Sequence, residues 1–156
     1  PPSDLSELAL LPGVDKALAQ LHLAGFRLIV VTNQPDVARG TQTRQRIEKM
    51  NDWLKARLPL DQFKVCYHDD ADQCNCRKPL PGLLLDAAHE FELDLALSFM
   101  VGDRWRDIEA GCRAGCKTVL LDNSYDESLS RDPDIRVKSL TEATSWILTQ
   151  SGTKVA

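Results

Sequence analysis

Apolar positions along the chain follow two rhythms, one in steps of three and four and one in short unbroken runs. Val14, Leu18, Leu21 and Leu23 follow Leu10-Leu11-Pro12-Gly13 at helical spacing, and Gly25 caps that helix. Phe26-Arg27-Leu28-Ile29-Val30-Val31 has almost no polar interruption, the pattern of a strand buried on both faces. It stops at the polar turn Thr32-Asn33-Gln34-Pro35. Thr43 opens a second helix with Ile47, Met50, Trp53, Leu54 and Leu58 on one side. Phe63-Lys64-Val65-Cys66 is a short strand, and Pro81-Gly82 opens a helix with Leu84, Leu85, Ala88 and Phe91 inward. Ser98-Phe99-Met100-Val101 is a strand that turns at Gly102-Asp103-Arg104. Ile108, Cys112 and Ala114 belong to a helix ending at Gly115, and Thr118-Val119-Leu120-Leu121 is the next strand. Residues 123–133 read as a polar loop before a last strand, Ile135-Arg136-Val137, and a helix through Leu140, Ala143, Trp146 and Ile147. Helices alternating with strands predict an α/β fold with a doubly wound parallel sheet, one domain over residues 1–150, and a frayed tail at 151–156.

Composition narrows the class. A chain of 156 residues can bury one real core, and 43% hydrophobic with 27% charged residues is the balance of a soluble globular protein. A net charge of −4 gives no electrostatic reason for a nucleic-acid or membrane partner. With 6% aromatic residues, a nucleic-acid-binding zinc ribbon is disfavoured. No apolar run has the length of a membrane span, and no signal-peptide pattern opens the chain. Reduced cysteines beside a metal loop fit the cytoplasm, and the expected form is a monomer.

Three of the five cysteines and one of the three histidines fall in the loop 66–76, as Cys66-x-His68-x5-Cys74-x-Cys76. Three thiolates and an imidazole make a closed tetrahedral set for Zn²⁺. Buried cysteines or disulfides are the alternative, but Asp69, Asp70, Asp72, Gln73 and Asn75 between the ligands could not form a core. Four protein ligands leave no position for water, so the zinc is structural.

In doubly wound sheets the ligand site lies beyond the carboxyl ends of the strands. Thr32 and Asn33 stand at one such end, Asp103 and Arg104 at another, and the zinc loop with Arg77 and Lys78 follows a third. Hydroxyl, backbone amides, ammonium and guanidinium groups can cradle a phosphoryl group, while carboxylates hold Mg²⁺ through oxygen. Taken singly these signals are weak, since a Thr-Asn turn, an Arg-Lys pair and a Gly-Asp-Arg triplet are each common.

Three stretches together resemble the haloacid-dehalogenase-like phosphatases: Val30-Val31-Thr32-Asn33-Gln34, the zinc loop joined to Arg77-Lys78-Pro79, and Val101-Gly102-Asp103-Arg104 with Asp107. More narrowly, the chain is similar to their zinc-containing group, which holds heptose-1,7-bisphosphate and histidinol phosphatases. The resemblance implies that Thr32 and the turn amides of Asn33 and Gln34 bind phosphoryl oxygens and that Lys78 neutralises the phosphoryl group. It implies that Arg77 and Arg104 contact the substrate, that Asp103 ligates Mg²⁺, and that Asp107 orients the metal's surroundings, though an exposed helix carboxylate is an equal reading. Val37-Ala38-Arg39-Gly40 and Lys78-Pro79-Leu80-Pro81-Gly82 lean toward the heptose branch, and Pro1-Pro2-Ser3-Asp4 toward the histidinol branch.

The resemblance also implies an aspartyl-phosphate, formed on an Asp-x-Asp motif of a first strand lying mid-sheet. No apolar run precedes Asp4, so the expectation is that the segment carrying that strand lies upstream of Pro1. Leaving it out opens two rows of backbone groups at about 1–3 kcal/mol each if not rehydrated, against a typical net stability of about 5–15 kcal/mol. The competing reading is a zinc-stabilised pseudophosphatase module without catalysis.

Overall fold

A computed structural model describes residues 13–33, 40, 43–68, 74–122, 129 and 131–151. The loop tips expected at 34–39, 69–73 and 123–128, and most of the tail at 151–156, lie outside the described residues.

The first and last helices share one core. Helix α1 (Val14–Leu23) buries Val14, Ala17 and Leu21. It packs against α5 (Leu140–Gln150), which buries Ala143, Thr144, Ile147 and Leu148. Ser139 caps α5 by accepting from the Glu142 amide at 3.1 Å, and the Glu142 carboxylate accepts in turn from the Lys138 amide at 2.9 Å. These reciprocal bonds satisfy donors that a helix start leaves open. Leu28, Val119 and Val137 complete the cluster from the strands.

Every strand pair is parallel, as helical crossovers require. Strand β1 (Ile29–Asn33) leads through α2 (Arg44–Lys55) to β2 (Gln62–Cys66), and the pair runs from Ile29 opposite Gln62 to Asn33 opposite Cys66. A second helix, α3 (Gly82–Phe91), and a 3₁₀ turn (Leu95–Leu97) lead to β3 (Phe99–Gly102). Helix α4 (Trp105–Ala114) connects β3 to β4 (Lys117–Leu121), and β5 (Ile135–Val137) completes the order β3-β4-β5. Asp134 anchors that last edge, its carboxylate accepting from the Thr118 amide at 2.7 Å.

The alternation and parallel direction are as expected, and the break in the sheet falls where the expected central strand is missing. Two strands and three strands form separate sheets, and among the described residues β1 and β3 each have a strand partner on one edge only. Those are the two strands expected to flank a central one. At their amino ends the sheets are tied by an edge-to-face stack, Phe26 on Phe99 at 6.0 Å and Phe99 on Trp146 at 5.8 Å.

Two helix faces also differ from expectation. In α2, Ile47, Asn51 and Leu54 are buried, while Trp53 is 38% exposed with the Arg57 guanidinium stacked on it at 3.9 Å. In α3, Leu83 and Ala87 are buried and Leu85 is 49% exposed. At the start of that helix Gly82 sits so close to the Asn75 carbonyl that a methyl group would collide with it. Periodicity placed Ile47 and Leu54 correctly in α2 and set the α3 stripe about one residue off. Cys112 and Cys116 are half-buried thiols, and burial, then the Cys112 neighbour, pushes Cys116 up to about 11.

Helix α4 also approaches the sheet closely at Gly111, where an added Cβ would meet Met100 Cβ at 2.7 Å and Thr118 Cγ2 at 2.8 Å. Overpacking of this kind costs about 1–3 kcal/mol, against about 1 kcal/mol gained in helix propensity. Gly111→Ala is therefore expected to lower the unfolding free energy in urea by about 1 kcal/mol. An increase would contradict the close approach of α4 to β3 and β4.

Candidate active site and zinc loop

The zinc loop grows out of the carboxyl end of β2. Cys66, the strand's last residue, is 0% exposed, which presents its sulfur from a rigid base. Cys66 Sγ lies 3.6 Å from Cys74 Sγ and 3.7 Å from His68 Nδ1, and His68 Nδ1 lies 3.4 Å from Cys76 Sγ. All four donor atoms fall within 4.8 Å of one another. A tetrahedral site with Zn–S of about 2.3 Å and Zn–N of about 2.0–2.1 Å puts its donors roughly 3.5–3.8 Å apart. The expected ligand set, Cys66, His68, Cys74 and Cys76, therefore fits a closed zinc site bound through Nδ1.

Electrostatics point the same way. Burial pushes the Cys66 thiol up, and burial together with the two neighbouring thiols pushes Cys76 up. Burial also opposes ionisation of Cys74, but the amides of Cys76 and Arg77 and the adjoining sulfurs outweigh it and bring Cys74 down to about 7. Sulfurs this crowded ionise together only around a cation, which a divalent metal supplies.

The loop is fastened on three further sides. The Arg77 guanidinium donates to the His68 carbonyl at 3.3 Å. The Gly82 amide donates to the Asn75 carbonyl at 3.1 Å, joining the loop to the start of α3. On the other side, the Arg44 guanidinium lies over the Tyr67 ring at 4.4 Å.

Lys78 is held at both ends. Its main chain is clamped by the Asn33 side chain: the Lys78 amide donates to Oδ1 at 3.1 Å, and Nδ2 donates to the Lys78 carbonyl at 3.4 Å. Its ammonium donates to the Val31 carbonyl at 3.2 Å and to Asp107 Oδ1 at 2.5 Å. Lys78 thus reaches from β1 to α4. The other Asp107 oxygen accepts from the Arg104 amide at 3.2 Å. A methyl group on Gly102 would collide with the Asp107 carboxylate, so glycine at the end of β3 is what lets that acid approach.

The structure therefore brings the Thr32–Asn33 end of β1, where a turn was expected, together with Lys78 and the 102–107 turn. Thr32 lies in β1 beside the clamped Asn33, and its hydroxyl reaches the Asn33 carbonyl at 3.4 Å. Asp103 and Arg104 follow directly on β3, both half-buried, with Arg104 as the N-cap residue of α4. Gln34 lies outside the described residues. Asp107 is buried rather than an exposed helix carboxylate. Sequence reasoning missed the Asn33 clamp and the Lys78–Asp107 pair. Only the glycine at 102 signalled a close approach there.

Parallel strands whose carboxyl ends gather a hydroxyl turn, a fixed ammonium and a carboxylate turn, braced by a zinc loop, define an α/β protein of the phosphoryl-binding class. A HAD-hydrolase-like family model matches residues 75–143. Over 130 residues, 76% of this chain and 69% of the relative, the chain is 35% identical to a D-glycero-β-D-manno-heptose-1,7-bisphosphate 7-phosphatase of Yersinia pestis. A Helicobacter pylori protein of the same name is 34% identical over 143 residues, 86% of this chain and 80% of that one. Among solved structures, D,D-heptose 1,7-bisphosphate phosphatase from B. bronchiseptica, complexed with magnesium and phosphate, superposes with a TM-score of 0.80 at 30% identity. That match covers 90% of this chain and 84% of the other. The chain belongs to the haloacid-dehalogenase-like hydrolases, in the group of the heptose-bisphosphate phosphatases.

Elemental analysis of the purified protein is expected to give one zinc per chain, and Cys74→Ser or Cys76→Ser to reduce this below about 0.1. Both variants are expected to lower the melting temperature. Full zinc content in both would contradict the four-ligand assignment.

Proposed function

We propose that this protein is a Mg²⁺-dependent phosphomonoester hydrolase acting on a sugar bisphosphate, D-glycero-β-D-manno-heptose 1,7-bisphosphate, with release of the 7-phosphate. The observation that carries the reading is the Lys78 ammonium, fixed between the Val31 carbonyl and Asp107 beside the Thr32–Asn33 turn. A lysine held in a crevice at 14% exposure is a preorganised positive charge for a group that gains negative charge as it transfers. The names of the relatives supply the substrate and the phosphate that leaves.

In this reading the Thr32 hydroxyl and the following amides, including that of Gln34, donate hydrogen bonds to the phosphoryl oxygens. Lys78 neutralises them. Arg77 and Arg104 recognise the remainder of the substrate as charged donors with fixed, forked geometry. Asp103, half-buried at the end of β3, offers the oxygen ligand that a hard cation needs. When bound there, Mg²⁺ supplies charge neutralisation and orientation of the phosphoryl oxygens. None of these residues attacks phosphorus. In the covalent route that the family resemblance implies, an aspartate of the Asp-x-Asp motif does so. The zinc loop does not enter the chemistry, because its four ligands close the coordination sphere, and it keeps Arg77 and Lys78 in place. The reading includes a monomer working in the cytoplasm as one domain over residues 1–150. Among the described residues, no helix is long and apolar enough to cross a membrane.

Phosphate release by the full-length protein, measured with heptose 1,7-bisphosphate and histidinol phosphate side by side, tests this reading. The heptose ester is expected to be favoured by at least about 100-fold in kcat/KM, a ratio within reach of a site built on polar contacts. Removal of Mg²⁺ by chelation is expected to abolish turnover, and Lys78→Ala to lower kcat by about 10²–10³-fold. A preference for histidinol phosphate would shift the assignment to that substrate. Absence of turnover with either would leave the protein a binding module.

A further inference from the structure

We propose that one flank of α2 is a docking surface for an acidic peptide segment of a partner protein. The inference goes beyond the phosphatase reading and does not depend on it. Arg46, Lys49 and Trp53 of the helix, with Arg57 in the turn that follows, form the surface, and all four are exposed. With about 3.6 residues per turn they fall within an arc of about 80° over a length of roughly 16 Å. The buried residues of the helix, Ile47, Asn51 and Leu54, lie about 120° away around its axis. Trp53 stands among the cations, with the Arg57 guanidinium over its ring at 3.9 Å and donating to its carbonyl at 2.9 Å.

Charge is unevenly divided around this helix. Residues 44–57 hold five basic side chains against two acidic ones, a net of +3 in a chain of net charge −4. Arg44 and Lys55 share the opposite flank with Glu48 and Asp52 and balance them, so the whole excess stands on the stripe. Among the described residues no carboxylate pairs with Arg46, Lys49 or Arg57. Helix stability alone disfavours the arrangement. The dipole opposes a cation in the first turn, where Arg46 stands without an acid, and Arg46 and Lys49 repel each other three residues apart. A bound carboxylate relieves both effects. Trp and Arg are also the residue types that carry most binding energy at protein interfaces.

The acidic balance of the whole chain selects among anionic partners. A nucleic acid or a membrane presents a long array of charges and meets repulsion from the rest of the molecule. A short acidic segment stays within about 8 Å, the Debye length, of the stripe and is governed by its cations. The contact of α2 with the zinc loop, Arg44 on Tyr67, is made from the other flank, so an occupied stripe leaves that loop uncovered.

The test is fluorescence anisotropy of a labelled Glu-rich peptide of about fifteen residues, with one Leu in every turn, titrated with the full-length protein. Wild type is expected to bind with a Kd of about 10–100 μM. The triple variant Arg46→Glu, Lys49→Glu, Arg57→Glu is expected to raise Kd by at least about 30-fold. Trp53→Ser, which removes no charge, is expected to raise it about tenfold, and Lys55→Glu on the other flank by less than about twofold. Absence of binding by wild type overturns the proposal, and so do equal losses in Lys55→Glu and the triple variant. Tighter binding of phosphatidylglycerol vesicles or duplex DNA than of the peptide also overturns it, by assigning the stripe to a membrane or a nucleic acid. A dimer in sedimentation that the triple variant dissolves overturns it as well, by assigning the stripe to a second copy of the chain.

Discussion

The structure depends on one constraint: a lysine ammonium must be held almost out of water between two sheets that, among the described residues, share no strand. Burying a charge is costly unless it is paired and hydrogen-bonded. Lys78 meets that demand with a carboxylate from α4 and a carbonyl from β1. In doing so it becomes the polar tie between the sheets at their carboxyl ends, opposite the Phe26–Phe99–Trp146 stack at their amino ends. Loss of either Lys78 or Asp107 would leave the other an uncompensated buried charge, which is more disruptive than loss of both.

The zinc loop can be understood from that demand. The stretch after Cys66 is polar, and among its described residues Tyr67, His68 and 74–78 lie in no strand or helix. Cys66 pairs with Asn33 across the β1–β2 ladder, and Asn33 is the residue that grips the Lys78 main chain. A metal joining Cys66 to Cys76, two residues before Lys78, therefore closes a small ring. In it the first zinc ligand, the lysine clamp and the lysine itself are all referenced to one rung of the sheet. Such a ring limits how far the lysine can wander without any contact between zinc and substrate.

Much of this was legible in the sequence where a residue's chemistry leaves few alternatives. Cys66-x-His68-x5-Cys74-x-Cys76 has a narrow set of uses, and the donor distances fit the expected one. The apolar runs ending at Val31 and before Gly102 marked two of the parallel strands, although β1 is half-buried along its length rather than buried on both faces. Helix faces were less legible. Trp53 and Leu85 fit the apolar stripes by spacing, yet both are exposed, Trp53 with the Arg57 guanidinium stacked on its ring. Periodicity sees a helix by itself, whereas its rotation is set by neighbours distant in sequence. The same limit hid the Lys78–Asp107 pair, which joins residues 29 positions apart, and the Asn33 clamp on a main chain 45 positions away.

The convergence of Thr32, Lys78 and the 103–107 turn on a phosphoryl group is the central claim. A crystal structure of the protein grown with Mg²⁺ and orthovanadate tests it directly. Vanadate is expected beside Lys78, its oxygens about 2.7–3.2 Å from Lys78 Nζ and Thr32 Oγ1, with a cation on the Asp103 carboxylate. Vanadate bound at another face, or a crevice in which Lys78 has turned away from both Asp107 and the anion, would contradict it.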